Sequence, residues 1–149
     1  MKKLLNIPFT EIESIPLLIK DFLEKRIIGF ENNVFNEENI EKQFQLKRNS
    51  FSQEERKILT KVLVQQYSGF HLSVKQQENL KFLENENTFT VTTGHQLNLF
   101  TGPVFFVYKI LQTIKFSADL NQKFPEKNVV PIFWMASEDH DFAEINHFK

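Results

Sequence analysis

Hydrophobic positions change their spacing partway along this chain. In the first half they recur at helical intervals. Ile15, Leu18, Ile19 and Phe22 share one face, with Ser14 in front as a cap and Gly29 behind as a stop, which predicts a helix. Asn36 predicts the cap of a short helix carrying Ile40 and Phe44. Ser52 with Glu55, and Ser73 with Gln76, have the spacing of capping boxes, in which two residues satisfy each other's free backbone amides. The first box predicts a helix with Leu59, Val62, Leu63 and Gln66 on one face, the second a helix running through Leu80 and Leu83.

Beyond residue 86 the pattern is different. Thr88 to Thr93 is a run of Thr, Val and Phe, which favours a strand. Val104 to Phe124 returns to helical spacing, with Val107, Ile110, Leu111, Ile114 and Ala118 on one stripe and Pro125 as the stop. Val129 to Met135 is short and almost wholly apolar, as expected of a strand covered on both faces. Pro131 is expected at its start, because proline has no N–H to give a ladder. Strand, loop, long helix and strand make one parallel βαβ unit with a right-handed crossover. The expected fold class is therefore α/β, with a helical segment over 1–86 and an α/β part over 87–149.

The loop between the first strand and the long helix carries unusual chemistry: TTGHQLNLFTGP, from Thr92 to Pro103. Ligands of open α/β sheets bind at the strands' carboxyl edge, where this loop would lie. Gly94 permits a sharp turn or a close backbone approach. Pro103 suits a first helical turn, and the free amides gathered there favour an anion such as phosphate by about 0.3–1 kcal/mol. His95 and Gln96 can add donors, and Lys109, about 9 Å along the helix, can reach back. The same residues also fit a tight turn capped by Thr101, with His95 on the surface and Lys109 on a solvated face. The second strand ends in Trp134-Met-Ala-Ser-Glu-Asp-His-Asp141 at the same edge. Glu138, Asp139, His140 and Asp141 are candidates for acid–base work or cation binding. Asp141 equally fits a helix cap, and Trp134 a core residue. His140 and His147 match no recognised metal spacing.

Composition narrows the class. The chain has 149 residues, enough for one domain or part of a larger one. A compact chain of this size buries about 70% of its unfolded surface. Seventeen phenylalanines supply much of that apolar area. The net charge of −1 gives no footprint for nucleic acid. There is no cysteine, hence no disulfide frame, thiolate nucleophile or zinc–thiolate site. The opening MKKLLNIPF is broken by Asn6 and Pro8, which argues against a signal peptide, and no window approaches the ~20 apolar residues of a membrane span.

The stretches TTGHQLNLFTGPVFFVYKILQTIK and VVPIFWMASEDHDFAEINH resemble the bacillithiol biosynthesis cysteine-adding enzymes. The helices before them, including QQYSGFHLSVKQQENLKFLENENTF, fit that family's amino-terminal layout. Where the family usually shows Gln, this chain has His95, which makes binding there open to pH dependence. The resemblance implies a Rossmann-like core similar to class I nucleotidyltransferases, beginning at about residue 87. It implies a cytoplasmic ligase joining cysteine to a malate–glucosamine precursor, with an ATP-like nucleotide to activate a carboxylate and with metal dependence left open. It also implies a homodimer in family members of full length. Carried over by position, Gly94, His95, Gln96, Thr101, Gly102, Pro103, Lys109, Trp134 and Ser137 would bind nucleotide or substrate. Glu138, Asp139, His140 and Asp141 would be catalytic. Family members are several times longer than this chain, so the expectation is that residues 1–149 alone do not complete the ligase. The competing expectations are a truncated, catalytically incompetent remnant or interaction module that needs another chain, and a different nucleotide-binding transferase on the same half-fold.

Overall fold

The computed structural model describes residues 5–30, 33–34, 36–96, 98 and 102–138. Packing divides the chain into two units, residues 1–47 and 48–149. The change in residue character at 86/87 lies inside the second unit.

The first unit holds a short 3-10 turn, Phe9–Glu11, then helix α1, Leu17–Leu23, and most of α2, Glu37–Ser50. Ser14 does not cap α1. The helix starts behind Pro16, whose carbonyl accepts from the amides of Ile19 and Lys20, while Ser14 sits in the preceding turn. Gly29 does not end it either. The chain leaves the helix after Leu23 and turns at Lys25, which holds a φ of 59°, and Gly29 serves a separate turn. Asn36 caps α2 as expected, its side-chain oxygen accepting from the Asn39 amide at 2.9 Å. Here α2 runs to 14 residues rather than a short turn or two. Asn39 and Phe44 are buried in this unit, while Leu17, Leu18 and Ile28 stay exposed.

The second unit contains helices α3, Gln53–Gln66, and α4, Val74–Phe82, then strand β1, Thr88–His95, helix α5, Val104–Lys123, and strand β2, Asn128–Met135. Both capping boxes are complete. The Ser52 amide donates to Glu55 at 2.7 Å, and the Ser73 amide to Gln76 at 2.9 Å. The buried face of α3 is not the leucine face. Leu59 and Val62 are exposed, and Arg56 and Thr60 turn inward. Arg56 donates through Nη1 to the carbonyls of Thr88 at 3.0 Å and Leu83 at 3.5 Å, and through Nη2 to Glu86 at 3.4 Å. Its fork thus gathers the turn that delivers the chain from α4 into β1. Burial pulls the guanidinium below the ordinary arginine range, with the Glu86 carboxylate acting in the opposite sense.

The two strands pair in parallel, from Thr88 opposite Asn128 to His95 opposite Met135. This is the expected βαβ unit. Strand β1 runs two residues past Thr93, so Gly94 and His95 belong to the strand rather than the loop. Pro131 is the fourth residue of β2, not its start. The reason it fits lies in the ladder's alternation. The amides of Asn128 and Ala136 both point at β1, donating to Asn87 and His95 at 3.0 and 3.1 Å. The amides of odd-numbered residues in β2 therefore point away from β1, and proline at 131 loses no ladder bond. Two residues earlier, Val129 gives its amide to the Asn121 side chain and accepts from it, both at 2.8 Å.

Helix α5 lies on the face of the sheet that carries Phe133, whose ring meets Phe106 edge to face at 5.4 Å. Its buried residues are Thr113, Ser117 and Leu120, in line with the half-buried Phe106 and Ile110. The predicted stripe is rotated by about one position, or 100°, so that Val107, Leu111 and Ile114 are exposed. Small hydroxyl side chains, not the largest apolar ones, allow the close approach to the strands. Among the described residues no helix is long and apolar enough to cross a membrane.

Candidate functional site

Parallel pairing sends both motif segments off the same edge of the sheet. Gly94 stands directly opposite Trp134, and the Ala136 amide donates to the His95 carbonyl at 3.1 Å. A Cβ on Gly94 would lie 3.0 Å from the Trp134 carbonyl oxygen and 3.1 Å from its Cβ. Glycine at 94 therefore serves a close approach between the strands. Trp134 itself is not a core residue. It is 58% exposed, and its Nε1 donates to Glu138 Oε1 at 3.3 Å.

His95 is half-buried, not a free surface residue. Its ring packs between Phe105 and Phe106, with centroids at 5.2 and 5.7 Å. Its Nδ1 lies 2.9 Å from Asn98 Nδ2, which also donates to the Gln96 carbonyl at 2.9 Å. Nδ1 also lies 3.0 Å from the Gln96 carbonyl oxygen, so it has a donor and an acceptor within reach and either ring tautomer finds a partner. Asn98 is the residue that the motif reading missed. The available signal was the readiness of Asn to bond nearby backbone in a turn. Gly102 completes the brace. It holds a φ of 56°, and a Cβ there would fall 2.6 Å from Asn98 Cβ.

Pro103 occupies the cap position of α5 rather than its first turn, and it brings no side-chain cap. Its carbonyl accepts from Phe106 at 2.9 Å. The first turn of α5 contains no acidic residue, so nothing there opposes an anion. Lys109 does reach back. Its Nζ lies 3.4 Å from the Gly94 carbonyl and 5.5 Å above the Phe105 ring, and the side chain remains exposed. Ser137 is exposed, and its amide donates to Met135.

The structure thus brings Gly94, His95, Gln96, Gly102, Pro103, Lys109, Trp134, Ser137 and Glu138 to one end of the βαβ unit. Thr101, Asp139, His140 and Asp141 lie outside the described residues, as does His147. Among the described residues no three His, Asp or Glu side chains converge as a metal site.

Residues 6–149 match the family model described as bacillithiol biosynthesis BshC, N-terminal Rossmann-like domain. Three similar proteins carry the name "Putative cysteine ligase BshC". The one from Flavobacterium psychrophilum is 50% identical over 135 residues, covering 89% of this chain and 25% of the relative. The Flavobacterium johnsoniae protein is 45% identical over 134 residues, again 89% and 25%. The Christiangramia forsetii protein is 46% identical over 145 residues, 96% of this chain and 27% of the relative. The chain spans about a quarter of the length of these curated relatives. With the parallel βαβ unit and both motifs at its carboxyl edge, the chain belongs to the BshC family and corresponds to that family's N-terminal Rossmann-like domain.

Proposed function

We propose that this chain forms the nucleotide-facing part of a cytoplasmic ligase that joins cysteine to the malate–glucosamine precursor of bacillithiol. Amide formation needs an activated carboxylate, because a free carboxylate is a poor acceptor for an amine. An ATP-like nucleotide, when bound, would supply the activating group. The start of α5 fits its phosphates: free amides, a left-handed Gly102, and no carboxylate in the first turn. Gly94, Gln96, Gly102 and Pro103 shape that pocket, and the resemblance assigns Thr101 to it as well. His95 would present its Nε2 edge from a braced ring, and Lys109, now 3.4 Å from the Gly94 carbonyl, would hold a phosphate oxygen. By the resemblance, Glu138, Asp139, His140 and Asp141, with Trp134 and Ser137, hold the amine and move its proton. The working protein is a homodimer.

The observation that carries this reading is the pairing of Gly94 with Trp134, which puts both motif segments on one sheet edge. The test uses a chimera in which this chain replaces the matching quarter of the Flavobacterium psychrophilum relative. The expected result is thiol product that requires cysteine, the malate–glucosamine precursor and ATP together. A well-folded chimera that forms no product, beside an active parent relative, overturns the reading.

A further inference from the structure

We infer that Trp134 and Glu138 form a recognition site for an ammonium group. The inference rests on the ligase reading only for the source of that ammonium. Trp134 is the chain's one tryptophan and stands 58% exposed, unusual for so large a ring. Its place is built rather than incidental. Gly94 lacks the Cβ that would fall 3.3 Å from indole Cδ1, so the pyrrole edge can lie against β1. The same edge is tied to Glu138 through Nε1 at 3.3 Å. That bond takes one of the roughly four acceptor positions of a carboxylate.

Two negative features therefore meet at one point: the π face of an indole and an exposed carboxylate. An ammonium over the ring gains from both. An uncharged ring would gain only stacking, and a phosphate would be repelled by Glu138. Lys109 does not compete for the place, since its ammonium lies over Phe105 with the His95 ring, on the α5 side of the sheet. Thr92 is exposed one pair further in on the Trp134 face and offers a hydroxyl to whatever carries the ammonium.

In a cysteine ligase two small molecules could bring that group: the α-ammonium of cysteine, or the amine that accepts it. Fluorescence separates them, because all tryptophan emission comes from Trp134. The 149-residue chain is titrated at pH 7 with L-cysteine, N-acetyl-L-cysteine, D-glucosamine and N-acetyl-D-glucosamine. The expected result is a saturable emission change with one or both free amines and none with the matching N-acetyl compound. Glu138→Gln, an exposed substitution checked by circular dichroism, should weaken the response at least tenfold. Equal responses to an amine and its N-acetyl partner, no response to either amine, or unchanged affinity in Glu138→Gln would each overturn the site. No turnover is needed, so a failed product assay beside intact amine binding removes the ligase reading alone.

Discussion

Gly102 sets the shape of the loop between β1 and α5. A side chain there would be strained by the left-handed backbone and would also strike Asn98. Gly102→Val should therefore lower unfolding free energy by about 1–2 kcal/mol in urea titrations. Gly94→Ala should cost less, since its contacts to Trp134 of 3.0–3.3 Å need a shift of only a few tenths of an ångström. Ser117 should respond in the opposite direction. Its hydroxyl is buried against the sheet with no hydrogen-bond partner among the described residues, so Ser117→Ala should stabilise by about 1 kcal/mol, raising Tm by about 3 °C. Arg56→Met should lose about 2–4 kcal/mol, because the carbonyls of Leu83, Glu86 and Thr88 lose their donor. Arg56→Lys should restore little, as one ammonium lacks the planar fork that spans them. Gly94 and His95 were legible as unusual residue types, but their place in β1 rather than in the loop was not, because it is set by pairing with β2. Arg56 was not legible at all. On a helix an arginine usually marks the wet face, and its partners here lie 27–32 residues away.

Among the elements, both capping boxes emerge as expected, because each is closed within four residues. The rotation of α5 was hidden, since its largest apolar residues and its buried residues form different rows. Pro131 was misplaced for a related reason. Its tolerance depends on which edge of β2 faces a partner, and that is a property of the pairing. Edge satisfaction gives a test at this scale. Asn121→Leu leaves the Val129 amide and carbonyl without their side-chain partner and should lower stability by about 1–3 kcal/mol by thermal melting. The α3 box gives a pH test. The Ser52 amide, and after it the Ser52 hydroxyl, hold the Glu55 carboxyl below its ordinary value of 4.5. A depressed carboxyl contributes stability above its unfolded pKa and loses it as pH falls through the folded value. The advantage of wild type over Glu55→Gln should therefore be present at pH 7 and shrink on acidification below pH ~4. An advantage that stays constant with pH would show that the carboxylate's charge contributes nothing to the cap.

At the scale of the whole molecule, family membership joins what the elements leave separate. The chain corresponds to the N-terminal Rossmann-like domain and spans about a quarter of its curated relatives. Within that quarter, one strand pairing brings the start of α5 and the Trp134–Glu138 segment together. This convergence was readable from the βαβ pattern, while the brace of His95 by Asn98 needed three dimensions. The most direct measurement is steady-state kinetics of thiol product in the Flavobacterium psychrophilum chimera, comparing Gly102→Val and Glu138→Gln with the unaltered chimera. Gly102→Val should raise KM for ATP and lower kcat/KM at least tenfold, while Glu138→Gln should lower kcat/KM for the amine substrate and leave KM for ATP unchanged. Unchanged kinetics in both variants would contradict a catalytic site at this sheet edge.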